Sequence, residues 1–447
     1  MNLLSDGFEG RLIFEIFFYI GDSGGYPVII GIVHEGKCRR WSIQLKPDCC
    51  CFHKSTANWQ KKINLFLPHM IKEIFQQQFN SVPQVEVNSP GRINVIGEHT
   101  DYNEGFVLPA AIDKYGYVGV SERDDDVISL YAIEFKEKFE TKIADIKPIE
   151  GKWTNYVLGV VDQLIKKNHP VGGFNLVVSG DVPVGAGLSS SAAIECAVCF
   201  ALDQMFDLKL SKFEIAKISQ IAEHTFPGVK CGIMDQFASV FGKKDHALKL
   251  DCRSLEYEEV PLVLEGYHIV LLNTNVKHSL ASTAYNERRQ QCAAGVKMVK
   301  EHVREVISMR DVTIKMLDEY VKDPLIYKRC RFVIEENDRV HKAVEQMKNG
   351  NILGLGELMF RSHDGLQHEY EVSCTELDWL VAAVRDNPIV AGARMMGGGF
   401  GGCTINIIKV GKIDELVNII SMNYEKEMGK KLSHYSAQTS DGTSLVK

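Results

Sequence analysis

The residues best suited to chemistry stand in three glycine-containing segments of the chain. The first segment, residues 182–193, reads VPVGAGLSSSAA and runs into the nearly all-apolar stretch 192–206. Its glycines let backbone approach a ligand closely, and a helix that opens at Ser190 and Ser191 would aim free amides and a positive dipole end at an anion. This arrangement suits a phosphate cradle. A tight turn before a buried helix explains the same spacing equally well.

A second segment, residues 89–102, gathers charged donors and acceptors on a turn. Arg92, Glu98, His99 and Asp101 stand close together here, among glycines. Carboxylates and an imidazole can accept from and donate to adjacent hydroxyls in a fixed geometry, so the cluster suits a ligand with many hydroxyls. A solvated loop with one ion pair is the alternative, and on chemistry alone it is the commoner one.

The third segment, residues 395–403, contains a formal G-x-G-x-x-G match that does not indicate a dinucleotide site. That motif must open a helix after a strand, whereas residues 403–408 read as a strand that leaves the glycines. We expect a glycine loop whose backbone passes close to a ligand or to the first segment. A Walker A loop is excluded because no Gly-Lys pair precedes Ser or Thr, and no G-x-S-x-G nucleophile elbow is present.

Composition limits the classes of function. The 447 residues carry a formal net charge of −7, so a general nucleic-acid partner is not expected. No window of about 18 uninterrupted apolar residues could span a membrane, and no secretory signal peptide is recognised. The 12 cysteines lack the paired spacing of a disulfide framework, which favours a reducing, cytoplasmic environment.

Elements of mixed α and β type must position the three segments. Apolar, β-prone runs predict strands at residues 117–120, 174–178, 247–250 and 268–272. Ser211 and Glu214 form a capping box, which predicts a helix over residues 211–224. The second half contains a strongly helical region at 287–350 and looks like a separate α+β unit. A chain of 447 residues agrees with two or three domains.

Residues 1–60 differ in composition from the rest of the chain. Apolar runs at 17–20 and 28–33 are followed by three adjacent cysteines at 49–51. Zinc-binding cysteines stand two to four residues apart so that their thiolates surround the ion, and adjacent cysteines point in different directions, so a metal site is disfavoured. We interpret this segment as an added N-terminal piece outside the ordered fold.

Taken together and in their order along the chain, the three segments resemble the galactokinase branch of the GHMP small-molecule kinases. The resemblance rests on GRINVIGEHTDYNEGFVLP at 91–109, VPVGAGLSSSAAIE at 182–195 and MMGGGFGGCT at 395–404. Three stretches between them also look galactokinase-like: CGIMDQF at 231–237, KKDHALKLDCRSL at 243–255 and YNERRQQC at 285–292. The resemblance covers residues 62–447.

This resemblance implies an α/β fold of the two-lobed, α+β GHMP kinase type, with the active site in the cleft between the lobes. The N-terminal lobe, residues 62–258, would contain a left-handed β-α-β unit, an exception to the usual right-handed crossover. The C-terminal lobe, residues 259–447, would be a ferredoxin-like α+β unit. Residues 1–61 would be an extension outside this fold, and the protein would be a cytoplasmic monomer or weak oligomer.

The resemblance also implies an activity and a set of site residues. The activity is transfer of the ATP γ-phosphoryl group to the anomeric hydroxyl of α-D-galactose, with magnesium as cofactor. Asp235 would be the catalytic carboxylate, with Arg92 beside it. The sugar would be held by Glu98, His99, Thr100, Asp101 and Tyr285. ATP would be held by Gly185, Ala186, Gly187, Leu188, Ser189, Ser190, Ser191 and, near the adenine, Trp153; magnesium would be held by Ser191 and Glu223.

Two alternatives stay open. A sister kinase that acts on N-acetylgalactosamine or another sugar at the same carbon would need a larger pocket, although residues 99–103 and 232–236 favour plain galactose. A non-catalytic relative would bind galactose and ATP and signal to a protein partner. The unbroken run SSSAA at 189–193, together with Asp235 and Arg92, argues for an enzyme.

Deletion of residues 1–60 tests whether the N-terminal segment belongs to the functional fold. Because the family pattern begins after this segment, we expect the shortened protein to fold and to keep the sugar-dependent ATP turnover of the full chain. Thermal unfolding and a coupled ADP-release assay on both proteins measure this. A shortened protein that failed to fold would refute the interpretation.

Overall fold

The structure is a computed structural model that describes residues 13–15, 29–34, 37–42, 70–276 and 281–446. The chain divides into two compact units, residues 1–65 and 66–447. In the first unit an antiparallel sheet has the order β1-β2-β3, formed by β1 (Ile13–Glu15), β2 (Ile29–His34) and β3 (Lys37–Ser42). The apolar run at 17–20 and the cysteines at 49–51 lie outside the described residues. The assignment of residues 1–61 to an extension outside the fold stays a prediction.

The second unit begins with helix α1, described over residues 70–79. The elements that follow in the first half are β4 (Val85–Asn94), β5 (Phe106–Val107), β6 (Pro109–Glu122), β7 (Val127–Ala132), β8 (Glu137–Lys142), α2 (Asn155–Lys166), β9 (Phe174–Gly180), α3 (Ser190–Phe206), α4 (Lys212–Thr225), α5 (Met234–Phe241), β10 (His246–Asp251) and β11 (Tyr257–Pro261). The lobe boundary predicted at residue 258 falls inside β11, and it stays a prediction.

The second half of this unit is richer in helix. Its elements are β12 (Tyr267–Asn273), α6 (Ala281–Lys300), α7 (Ile314–Tyr320), α8 (Pro324–Lys348), α9 (Ile352–His368), α10 (Thr375–Arg385), β13 (Val390–Met395), β14 (Cys403–Lys409), α11 (Ile413–Met428), β15 (Ser433–Ala437) and β16 (Ser444–Leu445). In the described part of the chain, no helix has the length and apolar character needed to cross a membrane.

The largest sheet has six strands in the order β16-β4-β6-β9-β7-β8. Its neighbours pair antiparallel except for β7 and β9, which run parallel and are separated in sequence by β8 and α2. Parallel neighbours require such a crossover, and its predicted left-handedness stays a prediction. The strands predicted at 117–120 and 174–178 lie in β6 and β9. Apolar side chains of this sheet pack with α2, α3 and α4 into one hydrophobic core.

The C-terminal sheet confirms the ferredoxin-like expectation. Its four antiparallel strands have the order β13-β14-β12-β15, and the chain reaches them as strand, helices, two strands, helix, strand. This is the β-α-β-β-α-β arrangement. Helices α10 and α11 pack on one face, where Leu380 and Val417 join Val270 and Ile408 in a buried cluster. The expectation of mixed α and β structure with a ferredoxin-like second half is therefore confirmed.

Helix α4 shows how local sequence positions a site residue. The Ser211 side chain accepts from the Glu214 amide, and the Glu214 carboxylate accepts from the Ser211 amide, so the predicted capping box is present. The apolar face, with Ile215 and Ile218, is buried. Glu223 lies on the last turn and is only 7% exposed. The helix thus directs this acid into the protein, not into solvent.

Candidate active site

The second and third glycine-containing segments line one cavity of about 280 Å³, and the first segment packs against both of them. Both halves of the second unit contribute to its wall. The lining residues are Arg92, Glu98, His99, Asp101, Glu223, Val229, Cys231, Met234, Asp235, Tyr285, Gly397, Gly398 and Gly399. Every charged residue in this wall is one that the sequence predicted for the site. The backbone and side-chain contacts around the cavity explain how they come together.

Strand β4 carries Arg92 to the cavity and packs directly against the first glycine segment. Its ladder with β6 shifts register between Pro90 and Arg92, which bends the end of the strand. At Gly91 a Cβ atom would lie 2.7 Å from the carbonyl oxygen of Leu188. The Arg92 amide donates to that same oxygen at 3.1 Å. Only glycine permits this approach, so the two segments are held backbone to backbone.

Asp235 is the centre of a network of charge-assisted hydrogen bonds. Its Oδ1 accepts from Arg92 Nε at 2.8 Å and from Arg92 Nη2 at 2.7 Å, and its Oδ2 accepts from Ser189 Oγ at 2.5 Å. Arg92 Nη1 donates to the Gly187 carbonyl oxygen at 2.6 Å. Asp235 also stands in the first turn of α5, where the helix dipole favours a negative charge. The pair predicted to be catalytic is thus in direct contact.

The first and third glycine segments touch through their backbones. Gly185 and Gly187 adopt left-handed φ angles of 77° and 74°, which glycine accepts at little cost. A Cβ on Gly397 would lie 3.4 Å from the Gly187 carbonyl oxygen, and a Cβ on Gly402 would lie 3.3 Å from the Ala186 backbone. The expectation that the third segment passes close to the first is confirmed.

The residues predicted to bind ATP differ in what they can offer a ligand. Helix α3 begins at Ser190, as predicted, with Ser189 at its N-cap. The side chains of Ala186 and Leu188 are buried in the core, so these residues offer backbone alone. Trp153 does not line the cavity: its Nε1 donates to a Glu137 carboxylate at 3.2 Å, and its ring packs on the N-terminal core. Its predicted place near the adenine stays a prediction.

Glu98 is fixed by a buried arginine that the sequence reading missed. Arg394 is 0% exposed and lies in β13, just before the third glycine segment. Its Nη2 donates to Glu98 Oε1 at 3.0 Å, and its Nε donates to the Val95 carbonyl oxygen at 2.8 Å. The Gly397 amide donates to the same Glu98 oxygen at 2.8 Å. The sequence signal that could have identified Arg394 is the presence of an arginine inside an otherwise apolar strand.

Thr100, predicted to bind sugar, has a different place. It is fully buried and does not line the cavity. Its hydroxyl faces two backbone carbonyl oxygens, that of Gly97 at 2.9 Å and that of Phe106 at 2.6 Å. The hydroxyl therefore closes the turn that carries His99 and Asp101. Its proposed contact with sugar stays untested, but its observed contacts hold this turn.

Burial gives two of the predicted sugar residues unusual protonation equilibria. Desolvation, followed by the negative charge of Asp235, raises the pKa of Asp101 to about 7. Desolvation also lowers the pKa of His99 to about 3, so its imidazole is neutral at physiological pH. Gly232 makes room for the Asp101 carboxylate, since a Cβ at Gly232 would lie 1.9 Å from Asp101 Oδ2.

Glu223 lies in a second polar cluster, behind the first glycine segment. Ser191 Oγ donates to Glu223 Oε1 at 2.9 Å, and Gln236 Nε2 donates to Glu223 Oε2 at 2.7 Å. Gln236 Nε2 also faces the buried carboxylate of Glu195 at 3.4 Å. Burial, followed by repulsion from Asp235, raises the pKa of Glu223. Gln236 and Glu195 stand in segments that resemble the family, but the sequence analysis assigns no role to either residue.

The Ser191 and Glu223 oxygens fit a magnesium ion. Both are hard oxygen donors in contact with each other, and the Glu223 carboxylate, whose pKa burial raises, has an uncompensated charge that a cation would balance. Among the described residues no three His, Cys, Asp or Glu side chains are grouped around one metal position. Magnesium commonly binds through one or two carboxylates and completes its shell with substrate phosphates and water.

Comparison with protein families agrees with this site. The GHMP kinases N terminal domain matches residues 155–243, the galactokinase galactose-binding signature matches residues 73–122, and the GHMP kinases C terminal domain matches residues 343–425. A curated galactokinase of Thermotoga petrophila is 42% identical over 364 residues, which are 81% of this chain and 100% of that protein. The chain belongs to the galactokinase family of GHMP kinases.

Other relatives extend this result. A galactokinase of Haemophilus influenzae (strain PittGG) is 41% identical over 387 residues, 84% of this chain and 98% of its own length. The crystal structure of Lactococcus lactis galactokinase complexed with galactose superposes with a TM-score of 0.80 at 35% identity and covers 85% of this chain and 99% of that one. The Methanococcus jannaschii mevalonate kinase, with a TM-score of 0.60 at 19% identity over 80% of this chain and 98% of that one, shares the fold.

Gly232→Ala tests whether space for the Asp101 carboxylate controls the site. The added methyl would occupy the position of Asp101 Oδ2, so the carboxylate must move by about an ångström. We expect kcat/KM for the sugar to fall on the order of 100-fold while thermal stability changes little. Gly172→Ala is the matched control, because its Cβ would make ordinary contacts of 3.5 Å and 3.8 Å with Phe206. Equal kinetics in the two variants would contradict the expectation.

The raised pKa of Asp101 predicts a pH dependence of stability. Asp101 titrates near 3.8 when unfolded and near 7 when folded, so the folded state binds its proton more tightly. Its stabilising contribution is complete below pH 4 and is lost as the pH rises through 7. Denaturant unfolding from pH 5 to pH 8 should therefore show wild type losing stability relative to Asp101→Asn. A constant difference between the two proteins across this range would rule the shift out.

Proposed function

We propose that this chain transfers the γ-phosphoryl group of ATP to the anomeric hydroxyl of α-D-galactose, giving galactose 1-phosphate and ADP. Membership of the galactokinase family supports an ATP-dependent sugar kinase. The observation that carries the proposal is the Asp235 carboxylate, bonded to Arg92 and Ser189, in the wall of a cavity lined by polar groups. That cavity also touches the glycine loop from the second half of the chain.

Phosphoryl transfer asks the protein mainly for positioning and charge stabilisation. Asp235 would accept the proton of the anomeric hydroxyl as the sugar oxygen forms its bond to the γ-phosphorus. The bond from the γ-phosphorus to the bridging oxygen breaks, and ADP leaves with that electron pair. Arg92 balances charge beside Asp235 and can also face the transferring group. Magnesium, held by Ser191 and Glu223, would supply charge neutralisation on the phosphates.

The remaining polar residues would bind the two substrates. Glu98, His99, Asp101 and Tyr285 present oxygens and an imidazole nitrogen toward the cavity and would hold the sugar hydroxyls. Residues 185–191 would hold the phosphates, since the N-terminal end of α3 offers free amides and a positive dipole. Trp153 near the adenine, a cytoplasmic location and a monomeric or weakly oligomeric state complete the proposal.

A panel of sugars in an ADP-release assay tests the substrate. We expect galactose to support turnover far better than N-acetylgalactosamine. Preference for the N-acetylated sugar would assign the chain to the sister activity. Tight binding of galactose and ATP without turnover would indicate a sensor instead of a kinase.

Asp235→Asn tests the assignment of the base. The amide keeps the shape of the side chain but cannot accept the hydroxyl proton, so kcat should fall by about 10²–10⁴-fold. Galactose binding, measured by isothermal titration calorimetry, should persist. Thermal unfolding serves as the control for folding. Near-normal turnover in the purified variant would show that Asp235 is not the base.

A further inference from the structure

A chain of buried polar groups runs from the cavity wall into the second half of the protein. His99 Nδ1 lies 2.8 Å from Tyr102 Oη, and Tyr102 Oη lies 2.8 Å from Tyr370 Oη. Tyr370 Oη in turn lies 3.2 Å from the Cys292 sulfur. The other ring nitrogen, His99 Nε2, is buried without a hydrogen-bond partner among the described residues.

The surroundings hold this chain in place. Tyr370 and Cys292 are 0% exposed, and the Tyr370 ring lies 5.0 Å from the imidazole of His99, measured between ring centroids. The Tyr370 carbonyl oxygen accepts from Nε of the buried Arg288 at 2.7 Å. The Tyr370 amide donates to the Gly365 carbonyl oxygen at 2.8 Å, at the end of α9. The second half of the chain therefore fixes the groups behind His99.

Only two proton orders pair every tyrosine hydroxyl proton within the chain and leave no contact without a proton. Each hydroxyl has one proton to donate, and leaving it unpaired in a buried site is costly, so a bond chosen at one end then sets every other bond. If Tyr102 donates to His99 Nδ1, then Tyr370 donates to Tyr102 and Cys292 donates to Tyr370. The neutral imidazole then carries its proton on Nε2. In the reverse order Nδ1 carries the proton and Nε2 is a bare acceptor.

Donor and acceptor strengths favour the first order. A tyrosine hydroxyl is a stronger donor than a neutral imidazole N–H, and a neutral imidazole nitrogen is a stronger acceptor than a phenol oxygen. The 2.8 Å contact between Tyr102 Oη and His99 Nδ1 is therefore most stable with Tyr102 as the donor. The ring proton then stands on Nε2, the nitrogen that has no hydrogen-bond partner among the described residues.

We propose that Tyr102, Tyr370 and Cys292 are positioning residues that fix His99 in the tautomer protonated at Nε2, so that its imidazole donates a hydrogen bond to a hydroxyl oxygen of the bound monosaccharide. This inference rests on the proposed sugar kinase function. It adds a specificity device that joins the two halves of the chain. None of the three positioning residues touches the reacting atoms.

Tyr102→Phe and Tyr370→Phe test the proposal in a graded way. Tyr102→Phe removes the donor to Nδ1, so we expect KM for galactose to rise about 10-fold, with kcat and KM for ATP nearly unchanged. Tyr370→Phe leaves that donor but frees its rotation, so we expect a smaller rise of about threefold. Tyr424→Phe is the matched control: its buried hydroxyl donates to the Thr274 carbonyl oxygen and does not line the cavity.

Nitrogen-15 NMR of histidine-labelled protein gives a readout that packing loss would not produce. The His99 resonances are assigned by their absence in His99→Gln. Wild type should show the proton on Nε2, and Tyr102→Phe should show a mixture of both tautomers. A wild-type imidazole protonated at Nδ1, or a tautomer unchanged in Tyr102→Phe, would overturn the proposal.

Kinetic measurements distinguish failure of this inference from failure of the proposed function. Wild-type protein without galactose-dependent ATP turnover would contradict the proposed function itself. Wild-type turnover with an unchanged KM for galactose in Tyr102→Phe would overturn the positioning role alone. An equal rise of KM in the Tyr424→Phe control would do the same, because the effect would then follow from any lost buried hydroxyl.

Discussion

The site depends on one fully buried guanidinium. Arg394 donates to Glu98 and to the carbonyl oxygens of Asn94, Val95 and Met395. A buried charge is tolerated only when a counter-ion and hydrogen bonds replace the water it has lost. These acceptors come from the end of β4, from the turn beyond it and from the start of the third glycine segment. Satisfying one cation therefore fixes three parts of the site relative to each other.

A concentration of carboxylates is the second constraint. Glu98, Asp101, Glu223 and Asp235 line one cavity, with Glu195 buried behind them. Glu98 and Asp235 are paired with arginines. Asp101, Glu195 and Glu223 have raised pKa values because they are desolvated next to like charges. A cluster of this kind destabilises the folded protein locally. A cation and a ligand rich in hydroxyl donors would relieve this strain, which supports the magnesium site and the sugar site proposed above.

Much of the fold and of the site could be predicted because both depend on short-range patterns. The capping box at Ser211 specifies the start of α4, and that helix carries Glu223 inward on its last turn. The motifs around Arg92 and Asp235 identified the family, and the family implied the ion pair. The internal partners of Trp153 and Thr100 could not be predicted in this way, because packing brings Glu137 to the Trp153 ring and the Gly97 and Phe106 carbonyl oxygens to the Thr100 hydroxyl.

The sequence by itself determined the elements, the order of the three glycine segments and the family to which the chain belongs, because propensity, capping and motif spacing are local properties. Tertiary structure alone decided which groups pair. Arg394 reaches Glu98 across 296 positions of sequence, and Tyr370 reaches Tyr102 across 268. Such partners are set by how sheets and helices pack, and no pattern along the chain specifies them. The protonation of Asp101 and His99 follows for the same reason, since burial is created only when the whole unit has folded.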